Sequence, residues 1–152
     1  NKTRYIKSSK IMGSISRKNS SLKNSRIECE TFCKDFLDQL YAFELGNVLF
    51  KPTKCALEQF RPTKEEALSY FISGDDRKCH EDKGFAIQPW TKVRFENSGG
   101  LILDDNRAIA MGNYFFTDTD GNEAKVEYTF GYKLRNGKLV IDLHHSSLPF
   151  SV

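Results

Sequence analysis

Apolar residues recur at Cys29, Phe32, Cys33, Phe36, Leu37, Leu40 and Phe43, with Glu28, Glu30, Lys34, Asp35, Asp38 and Gln39 between them. This spacing of three and four predicts an amphipathic helix over residues 28–45, its apolar stripe turned to a core. Gly46 stands where a helix C-cap belongs. A second helix is expected from Thr63. Thr63 and Glu66 have capping-box spacing, and Ala67, Leu68, Phe71 and Ile72 supply its apolar side. Gly74-Asp75-Asp76 ends it. The charged, aperiodic residues 75–84 read as a loop.

From Phe85 the period changes to two. Residues 90–95 alternate, with Lys92 and Arg94 set against Val93 and Phe95. Asp104-Asp105-Asn106 is a turn, and a long strand is expected from Arg107 to Thr117. Asp120-Gly121-Asn122 is the next turn. In residues 125–133, Val126, Tyr128, Phe130 and Tyr132 share one face, while Lys125, Glu127, Thr129 and Lys133 share the other. Asn136-Gly137 is the strongest hairpin signal in the chain. A last strand is expected from Lys138 to about Ser147, stopped by Pro149. Helices followed by consecutive antiparallel strands make an α+β plan. A long twisted meander curled over N-terminal helices forms a half-open cone with a pocket at its wide end. This is the cystatin-like or nuclear-transport-factor-like architecture. It hosts isomerases, dehydratases, binding modules and assembly domains, so function must come from the site.

Composition adds boundaries to this picture. The chain has 152 residues, 39% of them hydrophobic, enough for one domain with a modest core. No apolar run approaches the roughly 18 residues a spanning helix needs, and no membrane partner is expected. The net charge of +3 invites a nucleic-acid reading until the charges are located. Residues 1–26 hold eight Lys or Arg, seven Ser and no acid; the remainder carries 15 basic and 20 acidic residues, a net of −5. Residues 1–26 therefore read as a basic, serine-rich leader or linker, and residues 27–152 as a single domain. Such a leader fits import into a plastid or mitochondrion, or connection to another part of a longer protein. The lack of a starting Met agrees with a fragment. Nucleic acid is not expected as a partner, because Tyr5 is the leader's one aromatic residue able to stack on a base. Cys29, Cys33, Cys55 and Cys79 form no C-x-x-C pair and suggest reduced thiols rather than a disulfide framework.

Candidate chemistry concentrates at the end of the last strand, in Leu143-His144-His145-Ser146-Ser147-Leu148-Pro149. In a regular strand, Val140, Asp142, His144 and Ser146 share one face, and Ile141, Leu143, His145 and Ser147 the other. His144 and His145 then point apart, and His80 lies in a charged loop. A three-histidine zinc site is not expected, and neither is any other metal or cofactor. No P-loop or G-x-G-x-x-G pattern is present. Asp142 beside His144 would suit an isomerase or dehydratase. A solvated strand end with one buried histidine is the plainer reading. Thr53, in Phe50-Lys51-Pro52-Thr53-Lys54-Cys55, offers a hydroxyl to a pocket or makes a turn. Pro52 biases Lys51 to an extended backbone. Tyr70, Tyr114, Tyr128 and Tyr132 are each core or pocket residues.

Seven strings together carry a resemblance. They are Val48-Leu49-Phe50-Lys51-Pro52-Thr53-Lys54, Glu65-Glu66-Ala67-Leu68-Ser69-Tyr70-Phe71, Asp82-Lys83-Gly84-Phe85-Ala86-Ile87, Val93-Arg94-Phe95-Glu96-Asn97, Ala110-Met111-Gly112-Asn113-Tyr114, Val126-Glu127-Tyr128-Thr129-Phe130-Gly131-Tyr132 and His144-His145-Ser146-Ser147-Leu148-Pro149. The chain resembles the iota-class carbonic anhydrases of the metal-free branch, relatives of the association domain of calcium/calmodulin-dependent protein kinase. The likeness runs from about Cys33 to Phe150 and leaves the leader uncovered. Many relatives carry a further His where this chain has Leu143, which weakens a metal-triad reading.

The resemblance implies reversible hydration of CO2 to bicarbonate and a proton, without a metal, in a cone usually paired as a homodimer. It implies pocket hydroxyls at Thr53, Tyr70 and Ser146 that hold CO2, bicarbonate and the attacking water, with His144 tuning the network or relaying the proton. Tyr128 competes with Tyr70 for its place. Phe115, Phe130 and Trp90 are candidate walls for the CO2 carbon. The rival is a non-catalytic oligomerisation or small-ligand binding domain of the same fold. Pocket size discriminates, since CO2 needs only a small closed cavity.

Overall fold

The computed structural model describes residues 26–152. The leader or linker expected over residues 1–26 lies outside that range except for Arg26, which opens the first helix. Helix α1 spans Arg26–Leu40 and α2 spans Lys64–Ile72. Both lie over a five-stranded sheet of β1 (Leu49–Lys51), β2 (Lys92–Leu103), β3 (Arg107–Thr117), β4 (Glu123–Arg135) and β5 (Lys138–Ser147), in the order β1-β5-β4-β3-β2. This is the expected α+β cone fold.

The apolar stripe of α1 is buried through Cys29, Cys33, Phe36, Leu37 and Leu40. The helix stops short of its expected end at residue 45. The Ala42 N–H donates to the Ile141 carbonyl at 2.8 Å, and Tyr41 bridges Ile141 in parallel. Sheet pairing thus draws the chain out of the helix, and Phe43–Leu45 adds only a 3-10 turn. α2 begins as expected. The Thr63 hydroxyl accepts from the Glu66 N–H, and the Glu66 carboxylate accepts from the Thr63 N–H, completing the capping box.

Two departures from the expected sheet matter for the site. The segment between the helices, where no strand was expected, contains β1, which runs parallel to β5 with Phe50 opposite His144. The sheet is therefore mixed rather than wholly antiparallel. β5 also carries a bulge: Gly131 faces Leu143, but Tyr132 faces Ile141, leaving Asp142 unpaired in the register. The extra residue resets strand parity, so Ile141 rather than Asp142 lies in phase with His144. Asp142 turns to Arg107, whose Nη1 donates to it at 2.5 Å. The expected Asp142–His144 pair, and with it the isomerase or dehydratase alternative, loses its geometric basis.

β2 runs eight residues beyond the stretch that alternates, through an irregularity between Glu96 and Gly100. There the chain folds closely over Gly112. A Cβ on Gly112 would lie 2.0 Å from the Glu96 carbonyl oxygen. The missing side chain admits the bulged backbone, and the Tyr128 hydroxyl donates to Asn97 Oδ1 beside it.

Candidate active site

The site lies between the inner face of the sheet and the segment linking β1 to α2. A cavity of about 40 Å³ is lined by Thr53, Tyr70, Tyr114 and His144 among aromatic and aliphatic side chains that include Phe71, Phe95 and Phe116. A space of this size holds a very few small molecules, on the scale of water.

β1 and β5 bring His144 to this wall. Its ring stacks on Phe50 at a centroid distance of 4.7 Å and meets Phe130 on the other side at 4.3 Å. With no charged partner, burial pushes the imidazole pKa down to about 3, helped by the neighbouring His145. His144 is therefore neutral near pH 7. Of the two roles expected of it, tuning the network suits this environment; relaying a proton by way of the imidazolium does not.

The neutral ring joins a chain of buried hydroxyls. Nδ1 meets the Tyr41 hydroxyl at 2.7 Å, and Nε2 meets Ser146 Oγ at 2.9 Å. Ser146 Oγ lies 2.6 Å from the Tyr114 hydroxyl. Thr53 lies on the cavity wall with Tyr114 and Tyr70, where its hydroxyl partly offsets the upward pull of burial on both phenols. The Tyr70 hydroxyl also accepts from the Lys54 N–H at 3.4 Å. Burial raises the phenols of Tyr41 and Tyr70 far above the ordinary range and that of Tyr114 to about 12, with Ser146 and Thr53 partly opposing the last shift. All three stay protonated and act as neutral donors and acceptors.

The structure brings Thr53, Tyr70 and His144 to one cavity wall, with Ser146 bonded to His144 behind it. Tyr128 is turned away toward Glu96 and Asn97, so Tyr70 takes the cavity position for which the two competed. Phe130 supports His144 from beneath, and Trp90 packs behind Phe85 and Phe116. Phe115 points to the opposite face, under the Arg94 guanidinium at 3.9 Å. Tyr41 carried no sequence signal as a site residue, because its position depends on where α1 ends. Tyr114 was legible only as one ambiguous strand tyrosine.

The surrounding loops are fixed by a buried ion pair. Arg61 donates twice to Asp82, at 2.7 Å each, and Ser69 donates to the same carboxylate at 2.6 Å. The Arg61 N–H returns to the Phe50 carbonyl at 2.8 Å, closing the loop that carries Thr53. Among the described residues, no group of three or more His, Cys, Asp or Glu side chains could hold a metal ion. The four cysteines are buried free thiols.

A second cleft of about 360 Å³ shares Tyr70 and Phe85 with the cavity. Lys54, Lys83, Glu81 and Gln88 complete it. The Glu81 carboxylate is already engaged by the N–H groups of Ala56, Leu57 and Glu58, so the lysines dominate the cleft's available charge.

Comparison with known proteins places this geometry in a family. Residues 10–148 match the family described as metal-independent carbonic anhydrase. A curated metal-independent carbonic anhydrase of Nostoc sp. is 39% identical over 127 residues, covering 82% of this chain and 61% of the relative. The chain thus spans less than two thirds of that relative's length. A crystal structure of a cyanobacterial iota-carbonic anhydrase complexed with bicarbonate superposes with a TM-score of 0.92 at 33% identity, covering 100% of this chain and 94% of the other. A Xanthomonas campestris structure described as a calcium/calmodulin-dependent protein kinase II association domain shares the fold, with a TM-score of 0.57 at 24% identity, over 94% of this chain and 84% of the other.

Proposed function

The chain belongs to the metal-independent carbonic anhydrase family, and from that premise we propose that it catalyses the reversible hydration of CO2 to bicarbonate and a proton without a metal. The observation that carries this reading is the unbroken hydroxyl–imidazole network, which ends on the wall of a small, otherwise apolar cavity.

Neutral CO2 enters the aromatic cavity without losing strong hydration. A water oxygen bonds to carbon, and one C=O π pair moves onto oxygen. The hydroxyls of Thr53 and Tyr70 meet the developing charge as donors fixed before the reaction begins. Tyr114 lines the cavity beside them, Ser146 holds the Tyr114 hydroxyl, and neutral His144 anchors Ser146. The water proton passes to solvent water, since no group in the network takes up a further proton at neutral pH. Bicarbonate is costly to keep in an apolar space, and the adjoining cleft offers it Lys54 and Lys83. Hydrogen bonding and positioning replace a metal's lowering of the water pKa, so turnover is modest.

Stopped-flow CO2 hydration with and without a chelator tests this. Activity unchanged by chelation is expected; loss on chelation and recovery with zinc would overturn the metal-free reading. A folded but inactive protein would favour the non-catalytic binding or oligomerisation domain. Pairing as a homodimer belongs to the same proposal. It is supported by the outer sheet face, which leaves Met111 53% exposed beside an open groove, and light scattering tests it. The basic, serine-rich composition of residues 1–26 supports import into an organelle, tested by imaging a fluorescent fusion of the full-length protein.

A further inference from the structure

We propose that Tyr41 is a positioning residue that fixes the tautomer of His144, and with it the direction in which the hydroxyls of the site point. Tyr41 sits just past α1, where its N–H still bonds the Leu37 carbonyl at 2.9 Å and its backbone bridges Ile141. Its ring is 1% exposed and packs against Phe36, Phe43 and Phe50. Among the described residues, the hydroxyl has one hydrogen-bond partner, His144 Nδ1 at 2.7 Å.

That single partner decides the direction. If Tyr41 accepted from Nδ1–H, its own hydrogen would be buried against aromatic rings with nothing to receive it. An orphaned buried donor is costly. Tyr41 therefore donates to Nδ1. A neutral imidazole has one N–H, which must then be on Nε2. Nε2–H donates to Ser146 Oγ at 2.9 Å. The Ser146 hydrogen turns to the Tyr114 oxygen at 2.6 Å. The Tyr114 hydrogen is then left to the cavity, whose wall Tyr114 helps to line. Each group donates forward, from the closed back of the core to the cavity. Hydrogens rather than lone pairs are thus presented to whatever oxygen atoms occupy it. Only the last step, in which those oxygens belong to CO2 and bicarbonate, rests on the carbonic anhydrase reading.

The test is long-range ¹H–¹⁵N correlation NMR of the imidazole nitrogens. His80→Gln and His145→Gln variants isolate the His144 signals. The expected result is an unprotonated Nδ1 and a protonated Nε2. Tyr41→Phe keeps the ring packing and removes the hydroxyl. It should shift His144 to a mixture of tautomers and lower kcat for CO2 hydration about tenfold, the effect of one lost hydrogen bond, with KM changed less. A protonated Nδ1 in the unsubstituted protein would overturn the proposal, and that spectrum decides even if Tyr41→Phe fails to fold. An unchanged tautomer in folded Tyr41→Phe would overturn it too. The expected spectrum in a protein without CO2 hydration would leave Tyr41 its positioning role and remove the carbonic anhydrase reading instead.

Discussion

The hydroxyls of Tyr114 and Ser146, on β3 and β5, meet at 2.6 Å across the intervening strand β4. They couple the half of the network anchored on His144 to the half that lines the cavity. Ser146→Ala cuts the network at this point. It leaves both His144 Nε2–H and the Tyr114 hydroxyl short of a buried partner, at a cost of about 1–3 kcal/mol. Activity should fall at least about tenfold. Stopped-flow assays and urea unfolding check the two effects separately. Full activity in both Ser146→Ala and Thr53→Ala would remove these residues from the mechanism.

The buried His144 makes stability depend on pH. Its folded pKa is about 3, against about 6.5 in an unfolded chain. Between those values the unfolded state binds the extra proton, so stability is complete above about pH 6.5 and declines as pH falls toward 3. By pH 5 the loss from this group is about 2 kcal/mol. Urea midpoints at pH 7 and pH 5 should separate in the parent protein more than in His144→Gln. Equal separations would mean that His144 is not held neutral by the fold.

Arg61 and Asp82 are both fully buried at the side chain. Asp82→Ala would strand the Arg61 charge in the interior and cost about 3–5 kcal/mol, whereas replacing both partners with apolar residues should recover much of that loss. Denaturant unfolding of the single and joint variants measures the difference. A small effect in Asp82→Ala would mean that Arg61 finds water or another acceptor.

Lys83 edges the cleft beside Tyr70 and Phe85. Charge reversal in Lys83→Glu should weaken bicarbonate inhibition of CO2 hydration by about threefold at low salt, with the difference shrinking as salt screens the cleft. Inhibition that does not change would mean that bicarbonate leaves by another route.

Much of this is legible in the sequence. The capping box at Thr63, the three long strands after Asn106 and the Asn136-Gly137 turn are local signals, and local chemistry decided them. Thr53, Tyr70, His144 and Ser146 came from residue strings together with a family likeness. What escaped was non-local. β1 is only three residues long and exists because β5 pairs with it. The bulge at Asp142 reversed a parity argument that treated β5 as regular. Tyr41 reaches His144 only because pairing with Ile141 ends α1 early. No periodicity within α1 announces that.

The parallel pairing of β1 with β5 also sets a folding order. Phe50 and His144 are neighbours in space but lie at opposite ends of the domain's sequence. Loops of that length close slowly, because the chain loses entropy before the contact rewards it. The β3–β4 and β4–β5 hairpins can form earlier from nearby residues. A refolding chain would then gain most of its sheet signal before His144 acquires its aromatic sandwich, and catalytic competence would arrive with the final kinetic phase.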